Sequence, residues 1–275
     1  MIQEWAKFLQ PYEQAVEELK VKLKAIRDQY RELSEYSPIE FTTGRVKKIS
    51  SILEKAERMS IPLDRLQDEM EDIAGLRIMC QFIDDIYSVA ELIRERSGKD
   101  FKVLYEKDYI KNAKPSGYRS YHMIIRYPVY TAKGAREILV ELQIRTLAMN
   151  FWATIEHSLQ YKYKDAIPEE IVARLRNASD AATRLDEEMT LIAQEIRQAQ
   201  TLFEEKSNTV REITRLIGYL SSADQMDRAM LYQARLDALK PTDRFSEYRM
   251  LLDELRRVVS ESVYHKQSGD ACASS

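Results

Sequence analysis

One stretch of the chain alternates apolar and polar residues with the two-residue period of a β-strand. Within residues 136–146 the apolar positions fall on one face: Ile138, Val140, Leu142 and Ile144. The opposite face carries Glu141, Gln143 and Arg145. A strand with one apolar face normally turns its other face to water. A solvated surface is therefore the first interpretation of Glu141, and other parts of the chain must decide whether it holds.

Longer stretches repeat their apolar residues every three or four positions and predict amphipathic helices. The first runs from Trp5 to Leu33 and should end before Pro38, because the residue preceding a proline disfavours helical geometry. Another begins at Leu147, and a third follows Pro168 to about Glu205. The first and third have heptad-like apolar seams, which we interpret as packing surfaces against the core or a second subunit.

The region between the first helix and Leu147 mixes short helical and strand patterns. We expect a loop containing Gly44 that leads into a helix, and then a buried central strand over 73–83. A helix over 86–96, strands over 101–105 and 123–127, and a hairpin turn at Gly134 follow. This order predicts an α+β fold with a mixed sheet.

Residues beyond Ser207 carry three further apolar patterns of helical spacing, over 210–220, 226–239 and 245–263. Their charge is balanced, and no motif within them indicates a ligand. We therefore divide the chain into residues 1–206 and a helical C-terminal extension, residues 207–275, whose role the sequence does not assign.

The composition is that of a globular protein with a core of its own. The chain has 275 residues, 44% of them hydrophobic, and a formal net charge of -3. Nothing global attracts nucleic acid or an anionic membrane, so an anion site must be local. No apolar run approaches the roughly 20 residues of a membrane span, and Cys80 and Cys272 are too few for a disulfide framework. We expect a cytoplasmic protein.

Positive charge is concentrated at the start of the predicted second helix. Arg45, Lys47, Lys55 and Arg58 lie within 14 residues of sequence, 45–58. The helix dipole disfavours cations at this end and favours anions. A bound polyphosphate would explain both features, and a solvated basic face would explain the side chains equally well.

The loop 111–122 is the second dense stretch. Tyr118 follows Gly117 and offers a ring on which a base could stack, while Lys114 and His122 could contact sugar or phosphate. Asn150, one turn into the helix that begins at Leu147, could reach the same cavity. Each residue taken singly also fits an ordinary structural role.

Two carboxylates complete the pattern. Asp72 stands at the start of the predicted buried strand, which Arg77 interrupts with a charge that needs an anion or a stacked ring. Glu141 stands on the strand described first. Paired carboxylates beside a basic segment suit Mg²⁺-assisted phosphoryl chemistry, but they do not choose among its reactions.

Five short motifs in this order resemble the synthetase motifs of the RelA/SpoT family. They are Gly-Arg-Val-Lys at 44–47, Asp-Ile-Ala-Gly-Leu-Arg at 72–77, Gly-Tyr-Arg-Ser-Tyr-His at 117–122, Glu-Leu-Gln-Ile-Arg-Thr at 141–146 and Trp-Ala-Thr-Ile-Glu-His at 152–157. With long helices flanking them from Trp5 to about Phe203, the chain most resembles the small alarmone synthetases of the RelQ type.

The resemblance implies a nucleotidyltransferase-like mixed β-sheet flanked by long α-helices, and a reaction. Such an enzyme transfers pyrophosphate from ATP to the 3′-hydroxyl of GDP or GTP, giving AMP and ppGpp or pppGpp in the stringent response. By position, the matching ATP residues would be Arg45 and Arg77 around the adenine, and Lys47, Lys55 and Arg58 on the phosphates.

The other site roles are implied in the same way. Asp72 would bind Mg²⁺, and Glu141 would be the general base and a second metal ligand. Tyr118 would stack on guanine. The remaining acceptor contacts would come from Lys114, His122, Gln143 and Asn150.

The resemblance also bears on activity and partners. Long family members add a hydrolase with His-Asp metal motifs, but this chain has three histidines and no His-Asp pair, so we predict synthesis without hydrolysis. A homotetramer, an allosteric alarmone and inhibition by single-stranded RNA are further implications. The residues alone leave two alternatives, an α-phosphate nucleotidyltransferase and a non-catalytic helical module that binds RNA or protein.

Overall fold

The computed structural model describes residues 2–163, 167–223, 225–239 and 244–272. It divides into two compact units, Met1–Leu191 and Ile192–Ser275. The first contains the sheet and all five motifs up to His157. The second contains helices, and whether residues 207–275 form a functional unit of their own stays a prediction.

The first unit is built on one five-stranded mixed sheet. Its strands are β1 (Phe41–Val46), β2 (Ala74–Cys80), β3 (Lys102–Asp108), β4 (Tyr121–Thr131) and β5 (Gly134–Thr146), in the spatial order β1-β2-β5-β4-β3. Only the β2–β5 pair is parallel. The strand after Asp72, β2, is buried and lies inside the sheet as predicted, with β1 and β5 on its two sides, and the middle strand of the five is β5.

Helices surround this sheet and continue into the second unit. They are α1 (Ile2–Glu32), α2 (Ile49–Met59), α3 (Leu66–Glu69) after a 3₁₀ turn (Leu63–Arg65), α4 (Ile83–Glu95), α5 (Leu147–Tyr163), α6 (Glu169–Ser222), α7 (Met226–Leu239) and α8 (Phe245–Cys272). The α+β class with a helical C-terminal region is confirmed. No helix in the described parts of the chain has the length and apolar character of a membrane span.

The apolar face of the sheet forms the core of the first unit. The four apolar side chains of β5 are buried there, together with Leu76 and Ile78 of β2. Helix α1 packs against β1, β2, β4 and β5, and α4 against β2, β4 and β5. The other face of β5, which carries Glu141, points away from this core.

Strand β1 occupies a stretch for which we expected a loop. Gly44 lies in the middle of this strand, where a Cβ atom would fall 2.5 Å from Cγ1 of Val16 on α1. The glycine therefore permits close approach of the helix rather than a turn. Because Gly44 follows two threonines, the segment resembled a loop in sequence, although threonine and valine favour strands.

Helix α6 is continuous over 54 residues, where we expected two helices. The polar run at 206–209 interrupts the apolar pattern without interrupting the backbone, because it contains neither glycine nor proline. The hydroxyl groups of Thr209 and Thr214 donate to carbonyls four residues earlier, and so cause no break in the helix.

We expected the apolar seam of α6 to pack on the core or on a second subunit, and within the first unit it does not pack on the core. In the first unit Leu185 and Met189 are 55% and 43% exposed, and in the second Ile196 is 54% exposed. The face of α6 that is buried in the first unit is polar, with Ser179 and Asp186 at 4% and 5% exposure.

The second unit has an apolar core of its own. It joins the last part of α6 to α7 and α8 through the side chains of Ile213, Leu220, Tyr232, Leu236, Leu251 and Leu255. Helix α7 has the predicted bounds. Surface ion pairs, such as Arg256 with Glu212 at 2.9 Å, add little to stability because water screens them.

Candidate active site

The polar face of the sheet brings together residues from four strands. In the parallel ladder Gly75 is the partner of Glu141, and Arg77 is the partner of Gln143. In the antiparallel ladder on the other side, His122 is the partner of Gln143. Residues paired in this way share a face, so Glu141, Gln143, His122 and Arg77 line one surface.

Strand β1 adds Arg45 to the same surface. Arg45 pairs with Gly75, and Thr43 pairs with Arg77, so the two arginines are diagonal neighbours on adjacent strands. Burial lowers the pKa of Arg77, and the positive charges of Arg145 and Arg45 lower it further. Crowding of guanidinium groups in a half-buried place is unfavourable unless an anion or an electron-rich ring joins them.

Asp72 lies at the start of β2, where it pairs with two lysines. Its Oδ2 atom is 2.5 Å from Nζ of Lys47 and 2.9 Å from Nζ of Lys55. The Lys47 amide also donates to the Ile73 carbonyl at 2.8 Å, which fixes the end of β1 beside the start of β2. Burial raises the pKa of Asp72, but the two lysines outweigh burial and the pKa is lowered. Asp72 is therefore a carboxylate at neutral pH.

Glu141 accepts hydrogen bonds on both oxygens. His122 Nδ1 lies 2.9 Å from Oε1, and Gln143 Nε2 donates to Oε2 at 2.8 Å. Burial raises the pKa of Glu141 and the charge of Asp72 adds to that effect, but the His122 and Gln143 contacts outweigh both and the pKa is lowered. A carboxylate held ionised in a mostly buried position can accept a proton or bind a cation.

A hydrogen-bonded chain connects Glu141 to Arg145. Because the carboxylate only accepts, His122 Nδ1 carries the proton, and its Nε2 then accepts from the Tyr118 hydroxyl at 2.7 Å. Arg145 donates to that hydroxyl and, at 2.7 Å, to Oε1 of Gln143. Arg145 also donates to Ser120 Oγ at 3.1 Å and is buried. Arg145, whose role was open from sequence, thus holds Tyr118 and Gln143 by hydrogen bonds.

Three of the predicted residues lie at the margins of this network. The Lys114 ammonium is 4.7 Å and 4.9 Å from the ring centroids of Tyr109 and Tyr118. Asn150 has a buried Oδ1 without a hydrogen-bond partner. Arg58 is exposed on α2, one turn beyond Lys55, and its phosphate role stays a prediction.

Two residues that we did not predict as site residues interact electrostatically with this surface. Burial lowers the pKa of His157 on α5, and the charges of Arg45 and Arg77 lower it further. Tyr105 of β3 donates a hydrogen bond to Glu71, and burial followed by this bond raises its pKa. His157 is the last residue of one of the five motifs, so the sequence could have indicated it. No sequence pattern indicated Tyr105, because only the sheet register brings it near Glu141.

The carboxylates fit a magnesium ion. Oδ1 of Asp72 is buried and has no hydrogen-bond partner, which leaves one oxygen free for a cation. Within the described residues, no group of three or more acidic, histidine or cysteine side chains could hold a metal. Mg²⁺ in phosphoryl-transfer sites commonly uses one or two carboxylates, with waters and substrate phosphates as its other ligands. Asp72 and Glu141 would be the carboxylates of such a site.

Comparison with known proteins agrees with the motifs. The family model for the region found in RelA/SpoT proteins matches residues 44–166. GTP pyrophosphokinase YjbM of Bacillus subtilis is 60% identical over 203 residues, which are 74% of this chain and 95% of YjbM. The chain belongs to the RelA/SpoT family.

Solved structures resemble this RelA/SpoT protein over the same region. The small alarmone synthetase 1 from Bacillus subtilis bound to its product pppGpp is 60% identical with a TM-score of 0.68, covering 70% of this chain and 98% of that one. The same synthetase bound to AMPCPP is 58% identical with a TM-score of 0.64, covering 71% and 99%. The resemblance to small alarmone synthetases is confirmed.

Proposed function

We propose that this protein is a (p)ppGpp synthetase of the stringent response, which transfers pyrophosphate from ATP to the 3′-hydroxyl of GDP or GTP. The observation that carries the proposal is the pair Asp72 and Glu141 beside a crowded cationic surface, in a chain 60% identical to a GTP pyrophosphokinase. The products are AMP and ppGpp or pppGpp. We propose that the protein synthesises the alarmone and does not hydrolyse it.

The donor half of the site lies along β1, β2 and α2. Arg45 and Arg77 are diagonal neighbours, whose Cα atoms on adjacent strands are typically about 7–8 Å apart, and adenine enters between their guanidinium groups. Lys47 and Lys55 transfer from Asp72 to the phosphates when ATP binds, and Arg58 joins them. This exchange frees Asp72 for the metal.

The acceptor half lies along β5, β4 and the loop before β4. Guanine stacks on Tyr118, which requires Lys114 to move off the ring and towards the nucleotide. His122, Gln143 and Asn150 contact the rest of the acceptor. The unpartnered Oδ1 of Asn150 is an acceptor available to a nucleotide donor group.

Glu141 takes the proton of the 3′-hydroxyl as that oxygen bonds the β-phosphorus of ATP. The bond between the β-phosphorus and the α,β-bridging oxygen breaks, and AMP leaves with that oxygen. Mg²⁺, when bound by Asp72 and Glu141, neutralises charge on the phosphates. The low pKa of Glu141 keeps it ionised and ready to accept the proton.

Assembly and location complete the proposal. The protein is cytoplasmic and forms a homotetramer. The exposed seam of α6, with Leu185 and Met189 in the first unit, supports a subunit contact, because large apolar side chains at heptad spacing are normally covered. Binding of single-stranded RNA remains an expectation from the family, and the net charge of -3 adds nothing to it.

An allosteric alarmone is supported by a second basic cavity, of about 240 Å³, between α1 and β1. Lys20, Lys24 and Arg27 line it, together with Glu17, which pairs with Lys20 at 2.9 Å, and the partly exposed ring of Phe41. Cations and an aromatic ring are the groups that hold a guanosine polyphosphate. Addition of pppGpp should therefore increase the synthesis rate, and Lys24→Ala should reduce the increase without changing the basal rate.

A turnover assay tests the function directly. Purified protein is incubated with ATP, Mg²⁺ and either GDP or GTP, and the products are separated by chromatography. AMP together with a guanosine 3′-pyrophosphate is expected. Pyrophosphate release without AMP would indicate the α-phosphate alternative, and absence of turnover with both acceptors, with and without pppGpp, would favour the binding module.

Glu141→Gln tests the assignment of the base. It should lower kcat by about a thousandfold, within the range for loss of a general base, while ATP and GDP affinities change little. Glu137→Gln is the matched control, because Glu137 lies on the same strand but is exposed and pairs with Arg126 at 3.5 Å. A fully active Glu141→Gln protein would contradict the mechanism.

A further inference from the structure

The part of helix α6 that belongs to the first unit buries a polar face. Ser179, Asp186 and Thr190 are 4%, 5% and 8% exposed, and residues seven apart lie on the same side of a helix. Burial of polar side chains is unfavourable unless they form hydrogen bonds. The partners of these three side chains therefore show what this face of the helix does.

Ser179 holds the loop that carries Tyr118. Its Oγ donates to the carbonyl oxygen of Gly117 at 2.5 Å. Gly117 has φ of 92°, and a Cβ at this position would lie 2.8 Å from Cβ of Ser179. The contact is therefore close and requires glycine. It fixes the backbone immediately before Tyr118.

Asp186 holds the junction between β5 and α5. Its Oδ2 accepts from the Thr146 hydroxyl at 2.6 Å, and that hydroxyl oxygen accepts from the Met149 amide at 3.1 Å. Thr146 thereby caps the start of α5, which carries Asn150. It also directly follows Arg145, whose guanidinium group donates to Tyr118 and Gln143.

We propose that Ser179 and Asp186 are positioning residues for the acceptor nucleotide. The inference rests on the proposed function, in which Tyr118, Gln143 and Asn150 contact GDP or GTP. One face of α6 fixes both ends of that group, the loop at Gly117 and the strand end at Thr146. The residues assigned to ATP lie on β1, α2 and β2, outside the two segments that Ser179 and Asp186 hold.

This division predicts a selective effect on the two substrates. Ser179→Ala and Asp186→Ala should each raise KM for GDP and GTP about tenfold, the size expected for loss of one buried hydrogen bond. KM for ATP should stay within about twofold of wild type. Asp186→Asn keeps an oxygen that accepts from Thr146, so it should recover most of the acceptor affinity.

Thr183→Val is the matched control. Thr183 lies on α6 between the two positions, and its hydroxyl donates to the Ser179 carbonyl of its own helix at 3.0 Å. Both KM values should be unchanged. Circular dichroism checks the fold of each variant, and if Asp186→Ala does not fold, Ser179→Ala and Asp186→Asn carry the test.

The possible results separate this inference from the proposed function. Equal increases in KM for ATP and for the acceptor, or unchanged acceptor KM in Ser179→Ala, would overturn the positioning role. If wild-type protein makes no alarmone, the proposed function fails. Calorimetric titration with GDP then tests positioning alone, and equal affinities for wild type and Ser179→Ala would contradict it.

Discussion

Replacement of Asp186 by asparagine is expected to stabilise the protein at neutral pH and to have little effect in acid. Burial raises the pKa of Asp186 from its usual 3.8 to about 6. The charge of Glu187 acts in the same direction, and the hydrogen bond from Thr146 opposes it. The folded protein therefore carries a carboxylate that would be ionised more easily in the unfolded chain.

The sign and size follow from proton linkage. Below pH 3.8 the carboxyl is protonated in both states and imposes no penalty, whereas above pH 6 it is ionised in both and burial is fully unfavourable. At roughly 1.4 kcal/mol for each pKa unit, the penalty reaches about 3 kcal/mol. Asparagine removes the charge but buries an amide, so a gain of about 1–3 kcal/mol is expected at pH 8.

Thermal unfolding between pH 4 and pH 8 measures this difference. A gain of 1 kcal/mol corresponds to a rise in Tm of about 2–4 °C for a protein of this size. The Tm difference between Asp186→Asn and wild type should grow as pH rises from 4 to 7. Asp180→Asn, at an exposed position of the same helix, is the control. A difference that is constant with pH, or a variant less stable at pH 8, would refute the reasoning.

Two further changes test the fold and the metal site. Gly44→Ala should destabilise the protein by about 1–3 kcal/mol, because the new methyl group would overlap Val16; denaturant unfolding measures this, and Val16→Ala should restore part of the loss. If Gly44→Ala is neutral, α1 does not require the glycine. Asp72→Asn should lower the synthesis rate about a hundredfold or more and increase the Mg²⁺ needed; initial rates against Mg²⁺ concentration measure this, and an unchanged Mg²⁺ dependence would remove Asp72 from the metal site.

Much of the secondary structure could be predicted from local pattern. The alternation around Glu141 identified β5 and its two faces, and the bounds of α7 were correct, because side-chain period is a direct consequence of backbone geometry. The motifs identified the family, and the roles that they imply for the site residues stay predictions. Local patterns do not show which elements become neighbours in the fold.

Contacts between distant elements decided the rest. Gly44 resembled a turn residue until α1 was found against it, and Arg145 had no role until Tyr118 and Gln143 were found beside it. Proximity of this kind depends on sheet order and register, which connect residues far apart in sequence.

Helix α6 shows most clearly the difference between what the sequence determined and what the tertiary structure decided. Its sequence determined a long amphipathic helix with an apolar seam, because the spacing of side chains fixes which of them share a face. It did not determine which face would be buried within the chain. The tertiary structure buries the polar face, since Ser179 and Asp186 find hydrogen-bond partners at Gly117 and Thr146. The apolar seam at Leu185 and Met189 stays exposed, and in our proposal the polar face positions the acceptor side of the site.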